Sequence, residues 1–233
     1  MRPKFINPRI TVFGLGGVLL PTAAFASGPL PVKNDDLPYE FALQGGRSDY
    51  TWKRSGADVD TEVEMMSLFV RRRLAGIVYG DLLLGYTALT QTGNAATSGL
   101  KPDGYHAGLS VDVDILTREH FSVFGSAGYI YYYTRDSSSS NRVELTWGEW
   151  RARLGGSIGY GIVRLYGGGT YGSLDGTERQ TGTVNQTVRF DSKSQGGGFI
   201  GLDLRLNNDG YIGVEGRSGL DDGWLIYFKH RFD

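Results

Sequence analysis

The chain has 233 residues, with 36 glycines, 14 tyrosines and no cysteine. Glycine is at roughly twice its average usage, yet without the every-third-residue period of collagen, and the missing cysteine excludes a disulfide scaffold, a thiolate metal site and a cysteine nucleophile. The net charge of −1 leaves no basic footprint for nucleic acid; 40% hydrophobic residues with a mean hydropathy of −0.25 are too polar for a helical membrane protein, and 12% aromatics are too many for a disordered chain.

The first segment reads as a secretory signal peptide over residues 1–26. Arg2, Lys4 and Arg9 make it positive, an apolar run follows from Ile10 to Leu20, Pro21 breaks it, and Ala24-Phe25-Ala26 has the small-x-small form of a cleavage site. The run is too short for the roughly 20 residues of a transmembrane helix. Its removal shifts the net charge to −4, because it carries three basic and no acidic residues. Residues 27–38, with Pro29, Pro31 and Pro38, are expected to form an extended periplasmic lead.

From Tyr39 onward the hydrophobic period is two. Tyr105, Ala107, Leu109, Val111, Val113 and Ile115 share one parity, against His106, Gly108, Ser110, Asp112 and Asp114 on the other. The segments Trp224 to Phe232, Ile200 to Leu206 and Trp150 to Ile158 repeat the pattern. The stretch from Met65 to Leu74 comes closest to a helical period, but its neighbours are strand-like. Ten strands are predicted: 39–52, 61–75, 77–92, 103–117, 119–135, 142–159, 161–175, 188–206, 210–217 and 223–232. Their connections alternate strictly. Tight ones fall at Ala75-Gly76, Arg118, Tyr160 and Asn207-Asn208-Asp209-Gly210, the last a hairpin signal in itself. Longer ones run from Lys53 to Asp60, Gly93 to Pro102, Asp136 to Asn141, Gly176 to Thr187 and Ser218 to Asp222. Such alternation fits a closed barrel with periplasmic turns at one end and outer loops at the other. The fold class is thus all-β, a closed antiparallel transmembrane barrel over residues 39–233. Eight or twelve strands remain open, since 176–198 could hold an extra hairpin or extend strands above the membrane.

The polar parity carries Asp81, Asp112, Asp114, Glu149, Arg151, Arg153, Arg164, Asp203, Arg205, Glu215, Arg217, Lys229 and Arg231. In a membrane barrel these face the lumen, where they must be paired or hydrated, either as a filled salt-bridged interior or as a charged constriction that selects small solutes. Aromatics gather near strand ends. One belt is expected from Trp52, Tyr86, Tyr105, Tyr131, Tyr133, Trp150, Tyr171 and Trp224, with Tyr50 beside them. The other is expected from Phe41, Tyr79, Phe121, Tyr160, Tyr211 and Phe232, with Tyr39. Two belts separated by Leu, Val, Ile, Ala and Gly match the girdles at two lipid interfaces.

Signal peptide, alternating strands, belts and an aromatic last strand together resemble the bacterial outer-membrane β-barrel superfamily, over residues 39–232. The resemblance implies residence in a Gram-negative outer membrane. It also implies outer-membrane lipid and lipopolysaccharide as surroundings, and assembly by the barrel assembly machinery. Family members usually end in a terminal Phe or Trp, whereas Phe232 here is penultimate to Asp233. Nothing in the sequence asks for a cofactor or metal, and no protein partner is specified. The leading expectation is a non-enzymatic barrel, structural or a narrow passive channel for small solutes.

Two other readings stand beside it. A barrel enzyme at the outer rim could resemble the omptin proteases, through strand number and the Asp112-x-Asp114 pair, but their Asp-x-His pair has no counterpart. It could instead resemble the lipid A deacylases, through His120-Phe121-Ser122, but the residues that normally follow are absent. His106 is expected near the outer rim, within reach of Asp49, Asp103 or Asp222. The third reading is a surface-binding barrel that uses its long polar loops, among them Ser137 to Ser140.

Overall fold

A computed structural model describes residues 39–54, 57–138, 141–183 and 185–232. The predicted leader, the lead that follows it and residues 139–140 of the serine run lie outside these. The described chain folds into eleven strands. In order they are β1 (Tyr39–Arg54), β2 (Ala57–Ala75), β3 (Val78–Thr92), β4 (Asp103–Thr117), β5 (Phe121–Ser137) and β6 (Asn141–Tyr160). There follow β7 (Val163–Gly182), β8 (Gln186–Ser192), β9 (Gly196–Arg205), β10 (Gly210–Ser218) and β11 (Asp222–Phe232).

Ten of them close an antiparallel barrel. Sequential neighbours pair from β1 to β7, β7 pairs β9, and β9, β10 and β11 continue the ring. The seam is the β1–β11 ladder, which runs from Tyr39↔Phe232 to Asp49↔Asp222. Closure leaves the ring with no free edge. The tight connections lie at one end, together with Tyr39 and Phe232. Gly161 adopts a φ of 61° so that Tyr160 can pair with Val163 across two residues. At the predicted Asn-Asn-Asp-Gly turn, the Asn207 side chain accepts the backbone N–H of Asp209 at 2.9 Å, and Leu206 N–H donates to Gly210 O at 2.9 Å.

The outer face decides between a soluble and a membrane barrel. Leu109, Ile200 and Ile158 are 66%, 69% and 61% exposed, while Lys229 and Glu215 are 0% and 1% exposed. Apolar residues face out and charges face in, the inverse of a soluble protein. On the outer wall Tyr105 stacks on Tyr133 with ring centroids 5.3 Å apart, and Trp150 meets Tyr171 edge-on at 5.5 Å.

The strands outrun the membrane. β6 and β7 have 20 residues each, against the 9–11 or so needed to cross. The predicted long loop from Gly176 to Thr187 is therefore a continuation of β7, a short turn and the start of β8. The predicted single strand 188–206 divides at residues 193–195 into β8 and β9. β8 pairs with β7 from Asp175↔Asp191 to Gln180↔Gln186, and its other edge pairs with the top of β1 from Trp52↔Ser192 to Arg54↔Phe190. Above the short β10–β11 hairpin, β8 thus replaces β9, β10 and β11 as the link between β7 and β1. The ten-stranded ring narrows into a collar.

Candidate functional site

The interior is stacked in layers, and each follows from the inward parity of its strands. Nearest the tight turns, Arg71 of β2 donates through Nε to Asp81 Oδ1 at 2.7 Å and through Nη2 to Asp112 Oδ2 at 2.9 Å, with Glu40 Oε1 3.5 Å from Nη1. Ser110 Oγ donates to Asp81 at 2.6 Å. Arg231 stands directly across from Glu40 in the β1–β11 ladder. On the other side of this layer Asp203 accepts Lys229 Nζ at 3.0 Å, Arg164 Nε at 2.9 Å and the Tyr227 hydroxyl. The Tyr227 and Tyr166 hydroxyls are 2.9 Å apart.

The next layer holds three acids and three bases. Glu215 accepts Arg153 at 2.6 Å and Arg217 at 2.8 Å, Glu149 accepts Arg151, and Asp221 lies 3.0 Å from Arg151 and 3.6 Å from Arg217. Ser48 and Tyr50 complete it, donating to Asp221 at 2.9 Å and to Glu149 at 3.0 Å. Arginine suits such a lattice because its planar fork reaches two carboxylates at once. Asp221 enters because the β10–β11 connection folds inward, carrying Leu220 and Asp221 to 3% and 1% exposure.

Above the charges lies an apolar plug. Trp52 stacks on Phe190 at 4.3 Å, Tyr132 stacks on Trp147 at 4.5 Å, and the two tryptophans meet at 5.4 Å. Leu89, Val143, Leu145 and Leu174 pack around them. A polar cap closes the top. There Arg54 donates to Glu178 at 2.9 Å and to Asn94 at 2.5 Å, and Asn94 donates to Glu178 at 2.8 Å. Asn94 and Thr97 bring the 93–102 connection down onto the collar.

Most residues of the expected lumen network are inside and in contact with one another. Asp114 is half-buried beside the 118–121 turn, and Arg205 lies exposed at the rim, donating to Gly161 O at 3.4 Å. Five members are not legible in the sequence: Glu40, Arg71, Glu178, Asp221 and Arg54, the last of which lies in the expected loop from Lys53 to Asp60. Glu40 opens its strand, Arg71 sits in a run of three arginines whose parity is masked, and Glu178 and Asp221 fell in expected loops.

The aromatic belts need correction. Tyr86, Tyr105, Tyr131, Tyr133, Trp150, Tyr171 and Trp224 face outward at one level, and Tyr39, Phe41, Phe121, Tyr160 and Phe232 at the other. Trp52, Tyr50 and Tyr79 point inward and are 1%, 5% and 8% exposed. Tyr211 also points inward, with Lys229 Nζ 5.5 Å from its ring centre. Proximity to a strand end had suggested the belts, but parity governs the side. Tyr79 shares the parity of Asp81, and Tyr211 that of Glu215.

His106 is not at the outer rim. It is 1% exposed inside the barrel, with Nε2 2.8 Å from Ser67 Oγ and Nδ1 2.6 Å from Thr87 Oγ1. It reaches Ser67 across Gly85, which stands between them in the β2–β3–β4 ladders and whose missing side chain leaves room for the ring. Asp49, Asp103 and Asp222 are not its partners. His120 lies exposed at a turn beside Glu119, and Ser122 is bonded to Ser157 at 2.6 Å. Asp112 is committed to Arg71. Neither enzyme-like spacing forms a catalytic constellation.

No family model matches the chain, and no curated protein does. Solved structures do. The translocator domain of the autotransporter NalP from Neisseria meningitidis matches with a TM-score of 0.52 at 12% identity, over 86% of this chain and 90% of that one. The outer membrane protease OmpT from Escherichia coli matches with a TM-score of 0.51 at 11% identity, over 84% and 97%. This chain has the fold of a bacterial outer-membrane β-barrel. At such identities the likeness carries architecture and not activity, since one fold hosts many functions. The neighbours themselves include a translocator and a protease.

Proposed function

We propose that this protein is an exported, non-enzymatic barrel of the Gram-negative outer membrane. In this reading it conducts no solute, and its working surface is the collar outside the membrane. The observation that carries this is the plug. Trp52, Tyr132, Trp147 and Phe190 meet ring to ring across the collar, above a layer in which three acids face three bases. A pore needs a continuous wet path, and stacked rings over paired charges leave none. The collar, by contrast, is hydrogen-bonded on both edges of β8 and in this reading stands above the lipid, as suits a surface that meets other molecules. Surrounding lipopolysaccharide, and the assembly machinery that would read the aromatic last strand, belong to the same reading.

Planar-bilayer recording tests it. The refolded mature barrel is expected to give no steady conductance. A stable open channel would overturn the sealed reading and restore the narrow-pore one.

A further inference from the structure

The inward charges are paired, but one outward cluster is not. Across the outer wall of the collar a single register row runs through six strands: Tyr131, Gly148, Asp175, Asp191, Lys53 and Asp58. Asp58 is bonded to Lys193 at 2.6 Å, and that hydrogen bond lifts the Lys193 pKa above the ordinary lysine range. Asp175 and Asp191 stand directly opposite one another, an unfavourable placement for like charges. Asp175, Asp191, Lys53 and the neighbouring Arg189 form no ion pair or side-chain hydrogen bond with another described residue. The wall here is hollow, with a groove of about 890 Å3 bounded by these four residues and by Tyr129 and Tyr131. Gly148 makes room for the Tyr129 ring, which lies across it and forms part of the groove wall.

Height and chemistry together name a ligand class. Trp150, which meets Tyr171 in the aromatic belt, is two residues below Gly148 on the same strand. The groove therefore overlaps the upper part of the belt, which supplies Tyr131, and lies on the outer wall. At that level a barrel is surrounded by lipid headgroups rather than by acyl chains or bulk water. Tyrosine rings offer an apolar face to a sugar ring. Opposed carboxylates accept its hydroxyls, and Lys53 and Arg189 suit acidic or phosphate substituents.

We infer that the groove at Tyr129, Tyr131, Asp175, Asp191, Lys53 and Arg189 binds the acidic saccharide of a glycolipid in the surrounding outer leaflet. The inference rests on the collar standing outside an outer membrane, and fractionation of the full chain with outer membranes tests that premise separately. The binding test uses the refolded mature barrel in detergent and two probes, lipopolysaccharide with a complete core oligosaccharide and lipid A alone. The core-bearing probe is expected to bind at least tenfold more tightly. D175N/D191N should remove most of that advantage, and K53Q/R189Q should weaken binding and reduce its salt dependence. D175N/D191N should also leave the folded barrel no less resistant to heat, because it relieves repulsion. Y131L, which keeps an apolar side chain, provides a second route should either double variant fold poorly. The control D49N/E62Q, on a different stretch of wall, should bind like the parent. Equal affinity for the two probes, or full core-dependent binding by the folded variants, would overturn the inference.

Discussion

Residue by residue, this barrel is governed by what stands across a glycine. A Cβ at Gly213 would lie 2.4 Å from Tyr227 Cζ and 2.6 Å from Asp203 Oδ1. Tyr227 cannot retreat, since its hydroxyl is held by Asp203 and Tyr166. Gly216, on the same strand, has open space at its own Cβ position. Gly213→Ala is therefore expected to destabilise the barrel by about 1–3 kcal/mol, the usual cost of overpacking, while Gly216→Ala stays within roughly 0.5 kcal/mol. Urea unfolding of the two refolded variants, followed by tryptophan fluorescence, reads the difference, and equal midpoints would contradict it. The sequence showed that glycines share strands with inward charges. Which aromatic fills which gap depends on cross-strand register, and that is not local. The inward set was legible wherever apolar neighbours marked the parity, as around Glu149, Arg151 and Arg153. It failed at Arg71, where three adjacent arginines hide the alternation.

At the scale of elements the informative strand is β8. Its sequence, Gln-Thr-Val-Arg-Phe-Asp-Ser, has weak alternation, and only Phe190 and Ser192 are buried in it. What holds it is pairing on two edges, to β7 and to β1, with the stack of Phe190 on Trp52 beneath. Phe190→Ala removes that stack from a site with 4% exposure, and large-to-small changes of this kind cost about 3–5 kcal/mol. The loss should stay local, because β8 contributes nothing to the ten-stranded ring below. Amide exchange is expected to accelerate in β8 and the top of β1, with the β9–β11 ladders unchanged. Uniform acceleration through every strand would show instead that collar and barrel unfold together. In the sequence β8 and β9 look continuous, because residues 193–195 have no proline and a polar composition that suits an exposed strand as well as a bend.

For the whole molecule, closure and charge pairing should combine into resistance to detergent. Every transmembrane strand is hydrogen-bonded on both sides, and the seam is finished by Tyr39 stacked on Phe232 with ring centroids 5.8 Å apart. Opening the ring would expose backbone groups to lipid at a cost of several kcal/mol each. It would also separate buried carboxylates from the arginines that pair with them. The unheated protein is accordingly expected to migrate as a compact species in detergent gels and to shift on boiling. Identical mobility before and after boiling would argue against a closed barrel.

The division between chain and fold follows from range. Alternation is a property of neighbours two apart, so the sequence alone determined that the strands have an apolar and a charged face. The alternation of short and long connections likewise placed both chain ends of the barrel on one side. Tertiary structure decided what the charges do, because their partners are far apart in sequence. Ser48 meets Asp221 across 173 positions, and Arg54 meets Glu178 across 124. It also decided where the inward aromatics gather. Trp52, Tyr132, Trp147 and Phe190 come from four different strands and become a plug only when β8 crosses from β7 to β1 and narrows the ring around them.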